Sequence, residues 1–262
     1  MANRVLEVRN LSKHFGGLAA VDDVDFHADE GEIVSVIGPN GAGKTTLFNI
    51  VTGFYSHEAG QIMFDGHNIP GLKPNQITKL GIARTFQAVR LFPAMTVLEN
   101  AMVGQHSRSR AGIFGAVLRF RGTVSEEKRI EEAAREALGF FGQNLLGRAD
   151  ELASGLAYAD RRRLEVARAM ATQPKLLLLD EPTAGMNARE KEEIIDLVSR
   201  LRRERGYTVV LIEHDMPVVR GVSDRVVALD FGRKIAEGTY NEVSRNERVI
   251  EAYLGKEHEQ TA

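Results

Sequence analysis

Cysteine and tryptophan are both absent from the chain. Without Cys, neither a disulfide framework nor a thiolate zinc site can form, which suits a cytosolic protein. Long apolar runs are missing too. None reaches the roughly 18–20 residues that a membrane-spanning helix needs, and the closest approach, Ala111–Phe120, is short and contains Arg119. Residues Met1 to Asn10 are charged and strand-like and lack the apolar core of a signal peptide. Any membrane role is therefore expected to come through a partner. Nor is there a basic surplus: 34 Lys and Arg stand against 36 Asp and Glu, a net charge of −2. Phosphate backbones select clustered positive charge, so no nucleic-acid partner is expected. What is present is 43% hydrophobic and 27% charged over 262 residues, enough for one α/β domain with a packed core.

Short β-rich runs alternate with helical patterns, the mark of an α/β fold. Val5–Leu11, Val21–Phe26, Glu32–Ile37, Gln61–Phe64, Ile82–Phe86, Lys175–Leu179 and Thr208–Ile212 read as strands, and Asp65-Gly66 as a turn. From Thr96 to about Phe141 strand signals vanish. Glu126–Phe140 instead sets Ile130, Ala134 and Leu138 at helical spacing. Residues 90–158 are thus expected to form a helical subdomain inserted into a catalytic core of 1–89 and 159–262. Asn241–Leu254 reads as a closing helix.

The strongest motif lies between an expected strand and helix. Gly38-Pro39-Asn40-Gly41-Ala42-Gly43-Lys44-Thr45 fits G-x-x-x-x-G-K-[ST]. Glycine permits torsions closed to other residues and close approach of phosphate. Exposed amides at a helix N-terminus attract the anion, and Lys44 adds a full charge. The Thr45 hydroxyl can meet Mg²⁺. These eight residues and Thr46 form the candidate nucleotide-binding set. The motif alone indicates a P-loop NTPase, a class that includes kinases and GTPases.

Other residues narrow the chemistry. The run Lys175–Leu179 ends in Asp180 and Glu181. Asp180 can hold Mg²⁺, directly or through water. Glu181 can act as general base on a water in line with the γ-phosphorus; alone, the pair could be a solvated strand end. His214 follows Thr208–Ile212 and can orient that water from the ligand edge of the sheet. Gln87, after Ile82–Phe86, offers an amide to Mg²⁺. A lone His is more often structural, and a lone Gln carries nothing without the others.

Taken in order, Phe15, the phosphate loop, Gln87, a signature segment, Leu179-Asp180-Glu181-Pro182, Ala184-Gly185-Met186-Asn187 and His214 resemble the ATP-binding-cassette (ABC) nucleotide-binding domain over nearly the whole chain. The resemblance implies a P-loop fold with a mixed β core and helical subdomain, MgATP as ligand, and Phe15 stacked on adenine. Phe15 alone would more often be a core residue. Arg84–Phe92, Met95–Asn100, Arg162–Arg168, Ile212–Met216 and Ala252–Gly255 look like the ATP-binding subunits of branched-chain amino acid importers. That resemblance implies ATP-driven import through separate permease subunits, at the cytoplasmic face of a membrane, with a periplasmic or extracellular solute-binding protein in the same system. Urea, short amides or another polar solute are the alternative cargo. A non-transport ABC ATPase and a P-loop phosphotransferase are the competing classes. Arg90, Leu91 and Phe92 are candidate permease contacts, or else subdomain packing.

One segment departs from the family's Leu-Ser-Gly-Gly-Gln signature. Counting back from Asp180, the matching positions are Leu156-Ala157-Tyr158-Ala159-Asp160. Ala157 has no hydroxyl for a γ-phosphate, and Ala159 lacks the freedom of Gly. Asp160 brings negative charge, unless helix amides hold it as a cap. In the family two domains meet head to tail, each signature closing on the partner's ATP. A heterodimer with a second, fuller ABC ATPase subunit is therefore expected.

Overall fold

Strand β1 (Arg4–Phe15) and strand β2 (Leu18–Asp29) form a hairpin turning at Gly16-Gly17, in a computed structural model that describes residues 3–108 and 121–259. Ala111–Phe120 lies outside the described residues. Among those described, no helix is long and apolar enough to cross a membrane. The chain divides into two compact units, Met1–Ile77 with Lys175–Ala262, and Thr78–Pro174. The segment 90–158 falls inside the second.

The first unit holds two sheets. Both early strands run further than their apolar patterns suggest. In β1 a bulge makes this possible: Asn10 takes φ 48°, its amide donating to Asp25 Oδ1 at 2.6 Å and its side chain to Asp23 Oδ1 at 2.9 Å. Past the bulge β1 continues to Phe15. Strands β4 (Ala59–Phe64) and β5 (His67–Asn68) complete an antiparallel sheet in the order β2-β1-β4-β5.

The second sheet carries the site. Its strands in this unit are β3 (Ile33–Ile37), β7 (Leu176–Asp180), β8 (Thr208–Ile212), β9 (Arg225–Asp230) and β10 (Arg233–Gly238), in the order β10-β9-β3-β8-β7. Strands β7, β8, β3 and β9 are parallel, and β10 returns antiparallel. Every residue of β3, β7 and β8 is buried. Central parallel strands are covered on both faces, so they read as unbroken apolar runs, not alternating ones. Helices α1 (Lys44–Val51), α2 (Pro74–Leu80, whose last three residues belong to the second unit), α7 (Ala188–Arg205), α8 (Met216–Val222), α9 (Tyr240–Val243) and α10 (Glu247–Glu259) accompany the sheets. The expected helix Asn241–Leu254 is two helices. A capping box of Thr239 and Glu242 starts α9, which ends after four residues, and α10 begins at Glu247.

Among its described residues, the second unit holds the short strand β6 (Ile82–Arg84) and the helices α3 (Val97–Val103), α4 (Arg121–Gly139), α5 (Gln143–Leu146) and α6 (Tyr158–Ala171). A capping box of Thr96 and Glu99 starts α3. The strand expected to reach Phe86 ends at Arg84.

Candidate nucleotide site

Three neighbouring strands deliver the candidate residues of the first unit to one edge. Ile212 at the end of β8 lies opposite Val36 of β3 and Asp180 of β7. The phosphate loop follows β3, Glu213 and His214 follow β8, and Asp180 and Glu181 close β7. In a parallel sheet this carboxyl edge is where ligands bind.

The loop's shape depends on glycine at two positions. Gly38 has φ 146°, and a Cβ there would stand 2.1 Å from the Leu229 carbonyl oxygen on β9. Gly43, the N-cap of α1, has φ 96°, and its Cβ would stand 2.2 Å from the Ala20 carbonyl oxygen on β2. The loop is thus pressed against main chain from two strands. The β9–β10 turn adds a third support, Gly232 donating to the Ala42 carbonyl at 3.2 Å. Replacing Gly38 with Ala is expected to cost on the order of 3 kcal/mol or more, since the clash is with main chain. Gly41→Ala, with nothing within 4 Å of the added Cβ, should lose only about 1 kcal/mol. Thermal melting of both variants checks the contrast.

Lys44 lies folded into this loop. It is 7% exposed, and Nζ donates to the carbonyls of Gly38 at 2.6 Å and Pro39 at 3.0 Å. The ammonium is thereby held among the loop's main-chain groups. Tyr253 of α10 supplies a contact that the motif does not announce. Its hydroxyl accepts the Gly38 amide at 2.9 Å. Burial pushes the Tyr253 pKa up, against the amide that donates to it, so the hydroxyl is a neutral acceptor.

Glu181 has φ 47°, a left-handed backbone that an L side chain adopts at a cost of about 1–3 kcal/mol. Its amide donates to the Ile212 carbonyl at 3.0 Å and its carbonyl accepts the Ala184 amide at 3.1 Å. The strain is thus fixed from β8 on one side and by a tight turn on the other. Asp180, one residue earlier, is 1% exposed.

Between these residues lies Glu213, part of the Ile212–Met216 segment but given no role of its own by the sequence. It is fully buried. Oε1 accepts from the Thr183 amide at 3.0 Å and hydroxyl at 2.5 Å, while Oε2 accepts the amides of His214 at 3.1 Å and Asp215 at 3.4 Å. One carboxylate therefore joins the loop after Glu181 to the loop of His214. Asp215 caps α8 through the Val218 amide at 3.3 Å and pairs with Lys191 at 2.5 Å. Glu213→Ala strands four donors, and a loss of about 2–3 kcal/mol is expected. Chemical denaturation measures that loss. Steady-state kinetics should show turnover falling more than ATP affinity, and a folded variant with normal turnover would remove Glu213 from positioning.

Phe15 is no core residue. It is 46% exposed at the end of β1, edge-on to Tyr55 at 5.3 Å, with Lys13 Nζ 5.3 Å from its ring centre. Asn187 of the expected Ala184–Asn187 loop caps α7 in a box with Glu190.

Gln87 and the segment 156–160 belong to the second unit. The Gln87 carbonyl accepts from Arg162. Leu156 is buried, Ala157 is the N-cap of α6 and gives no side-chain cap, and Tyr158 is 49% exposed. Ala159 and Asp160 follow in the first turn. The Asp160 carboxylate pairs with Arg163 at 2.8 Å and Arg148 at 3.2 Å, so its charge is met by arginines within its own unit.

Residues 21–184 match the model of a family described as ABC transporter. The chain belongs to the ABC transporter family. It is accordingly an ATP-binding, ATP-hydrolysing subunit of the ABC type. Residues 233–259, from β10 to the end of α10, match a second model, described as branched-chain amino acid ATP-binding cassette transporter. The chain is 46% identical to the high-affinity branched-chain amino acid transport ATP-binding protein LivG of Salmonella typhimurium, covering 98% of this chain and 100% of that one. It is 43% identical to BraF of Pseudomonas aeruginosa, of the same description, with the same coverage. Among solved structures, a nucleotide-free ATP-binding cassette from an ABC transporter superposes with a TM-score of 0.82 at 31% identity, covering 95% of this chain and 98% of that one. A dimeric cassette in a post-hydrolysis state, bound to ADP and Pi, superposes at 0.71 with 28% identity, covering 90% and 98%.

Proposed function

We propose that this ABC ATPase drives import of branched-chain amino acids through a separate permease, from the cytoplasmic face of the membrane. The reading is carried by one observation above the others. The phosphate loop, Asp180-Glu181 and His214 share a sheet edge, and the C-terminal segment that matches the branched-chain family model is bonded to that loop through Tyr253. The names of the LivG and BraF relatives support the cargo.

In this reading the loop amides and Lys44 hold the phosphates, with Gly38 to Thr46 as the cradle, and Phe15 stacks on the base. Thr45 and Asp180 of the first unit would hold Mg²⁺, and Gln87 is the amide that the sequence adds to the candidate set. Their donors are a hydroxyl, a carboxylate and an amide, all hard oxygens. Among the described residues no cluster of three or more His, Cys, Asp or Glu forms a metal cage. Mg²⁺ is commonly held by one or two carboxylates plus phosphates and water, so this sparse set fits. When bound, the ion neutralises charge on the transferring phosphoryl group. Glu181 takes the proton of the attacking water, and His214 orients it. The fixed backbone of residues 181–184 and 212–215 keeps the two in register.

The signature points to asymmetry. In a head-to-tail homodimer, Ala157, Ala159 and Asp160 would face both γ-phosphates. A heterodimer with a related ATPase subunit of fuller signature confines the weaker segment to one site. The expected result is slow hydrolysis by the isolated chain. Turnover and leucine uptake should rise when this chain joins the second ATPase subunit, permease and solute-binding protein in vesicles. Full turnover by the isolated chain would overturn the asymmetry, and uptake of urea or a short amide in place of leucine would reassign the cargo.

A further inference from the structure

Helix α6 carries Arg162, Glu165 and Arg168, each three residues from the next and so along one face. Charged side chains on a helix ordinarily point to water. Here Arg162 is 4% and Glu165 1% exposed. All three turn onto the main chain of residues 86–90. Arg162 donates to the Phe86 carbonyl at 2.9 Å and, through its other terminal nitrogen, to the Gln87 carbonyl. Glu165 accepts the Phe86 amide at 3.3 Å. Arg168 donates to the Arg90 carbonyl at 2.5 Å. Arg162 also meets Glu165 at 3.4 Å, and its Nε donates to the Tyr158 hydroxyl at 3.3 Å.

Burying a guanidinium and a carboxylate, with a second guanidinium partly covered, costs more than an apolar contact of similar volume. An apolar face would cover this loop, but it could not hold its peptide groups. The grip is on main chain, so it fixes the path of residues 86–90 whatever side chains the loop presents. A second anchor follows. Asn100 of α3, fully buried, accepts the Phe92 amide at 2.8 Å and donates to the Phe92 carbonyl at 3.0 Å. Together these bonds run from Tyr158, inside the signature segment, to Gln87 and on to Phe92, all within the second unit.

We propose that Arg162, Glu165 and Arg168 are positioning residues that lock the Gln87 loop to the signature helix. A displacement of residues 156–160 is then passed to Arg90–Phe92 as rigid movement and is not absorbed by bending of the loop. The lock rests on the roles given above to Gln87, the signature and the 90–92 contact. Its physical existence can be measured without them.

The test is amide hydrogen exchange on the full chain, paired with steady-state ATPase kinetics. In Arg162→Ala, exchange across residues 86–92 should quicken at least about tenfold while residues 164–171 of α6 stay as protected as in the unaltered chain. Arg162→Lys should fall between, because an ammonium lacks the planar fork that spans two carbonyls. In both, kcat should drop about fivefold or more with KM for ATP within twofold. Should the alanine variant not fold, Arg162→Lys and Glu165→Gln carry the same comparison. Exchange at 86–92 unchanged in the folded variants would overturn the lock. Faster exchange with unaltered kcat would overturn its role in turnover. Gln87→Ala separates the readings: full turnover there removes the metal role of Gln87 and leaves the exchange result to decide the lock.

Discussion

Glu181→Gln is expected to lower ATP hydrolysis by about 10²-fold or more while ATP affinity stays within a few-fold. The substitution keeps the shape of the side chain and removes only its basicity. It also leaves the backbone as it is. The left-handed conformation at 181 is set by the bond to Ile212 and the turn to Ala184, and Gln can occupy it as Glu does. Loss of turnover can therefore be assigned to proton abstraction and not to a collapsed loop. A single-turnover assay with MgATP, beside a nucleotide-binding titration, makes the comparison. Near-normal turnover would remove Glu181 from the role of base.

Lys44→Ala should act on the earlier step. The ammonium sits among the carbonyls of Gly38 and Pro39, a short movement from the phosphates that the loop encloses in the proposed mechanism. One close charge contact is worth about 4 kcal/mol at an effective dielectric near 20. Allowing for the hydrogen bonds Lys44 gives up on leaving the loop carbonyls, the expected loss in ATP affinity is about 10²- to 10³-fold. Titration with a fluorescent ATP analogue measures it, and unchanged affinity would count against a phosphate contact. The two variants should thus differ in kind: the first binds without cleaving, the second fails to bind.

Much of this site could be read before any coordinates, because its parts are local. A parallel sheet buries its central strands on both faces, so β3, β7 and β8 stand out as unbroken apolar runs, and the residues at their ends are the candidates for chemistry. What escaped reading depends on partners far along the chain. Strand β9 contains the apolar run Val226–Leu229 and is followed by Phe231-Gly232, but a run so short does not distinguish strand from buried helix. Glu213 matters through Thr183, and Tyr253 through Gly38; neither pairing leaves a spacing to recognise. The left-handed backbone of Glu181 is likewise invisible, since nothing in the residue type requires it. The segment 156–160 was legible as a departure, whereas the arginines that meet Asp160 were not.

The position of β3 governs when the enzyme becomes competent. Val34 pairs with Val210 on one side and Arg225 on the other, and the Gly38 amide donates to the hydroxyl of Tyr253, 215 residues downstream. At about 5–20 residues per second, a ribosome needs roughly 10–40 s to make that stretch. For most of that time the apolar strand leading into the phosphate loop has been synthesised while its flanking strands, β8 and β9, have not. A nascent chain cannot complete its ATP cradle until the last helix emerges, and contacts so distant in sequence form slowly. During synthesis, therefore, the strand leading into the segment that later grips nucleotide waits unpaired until β8 and β9 have been made.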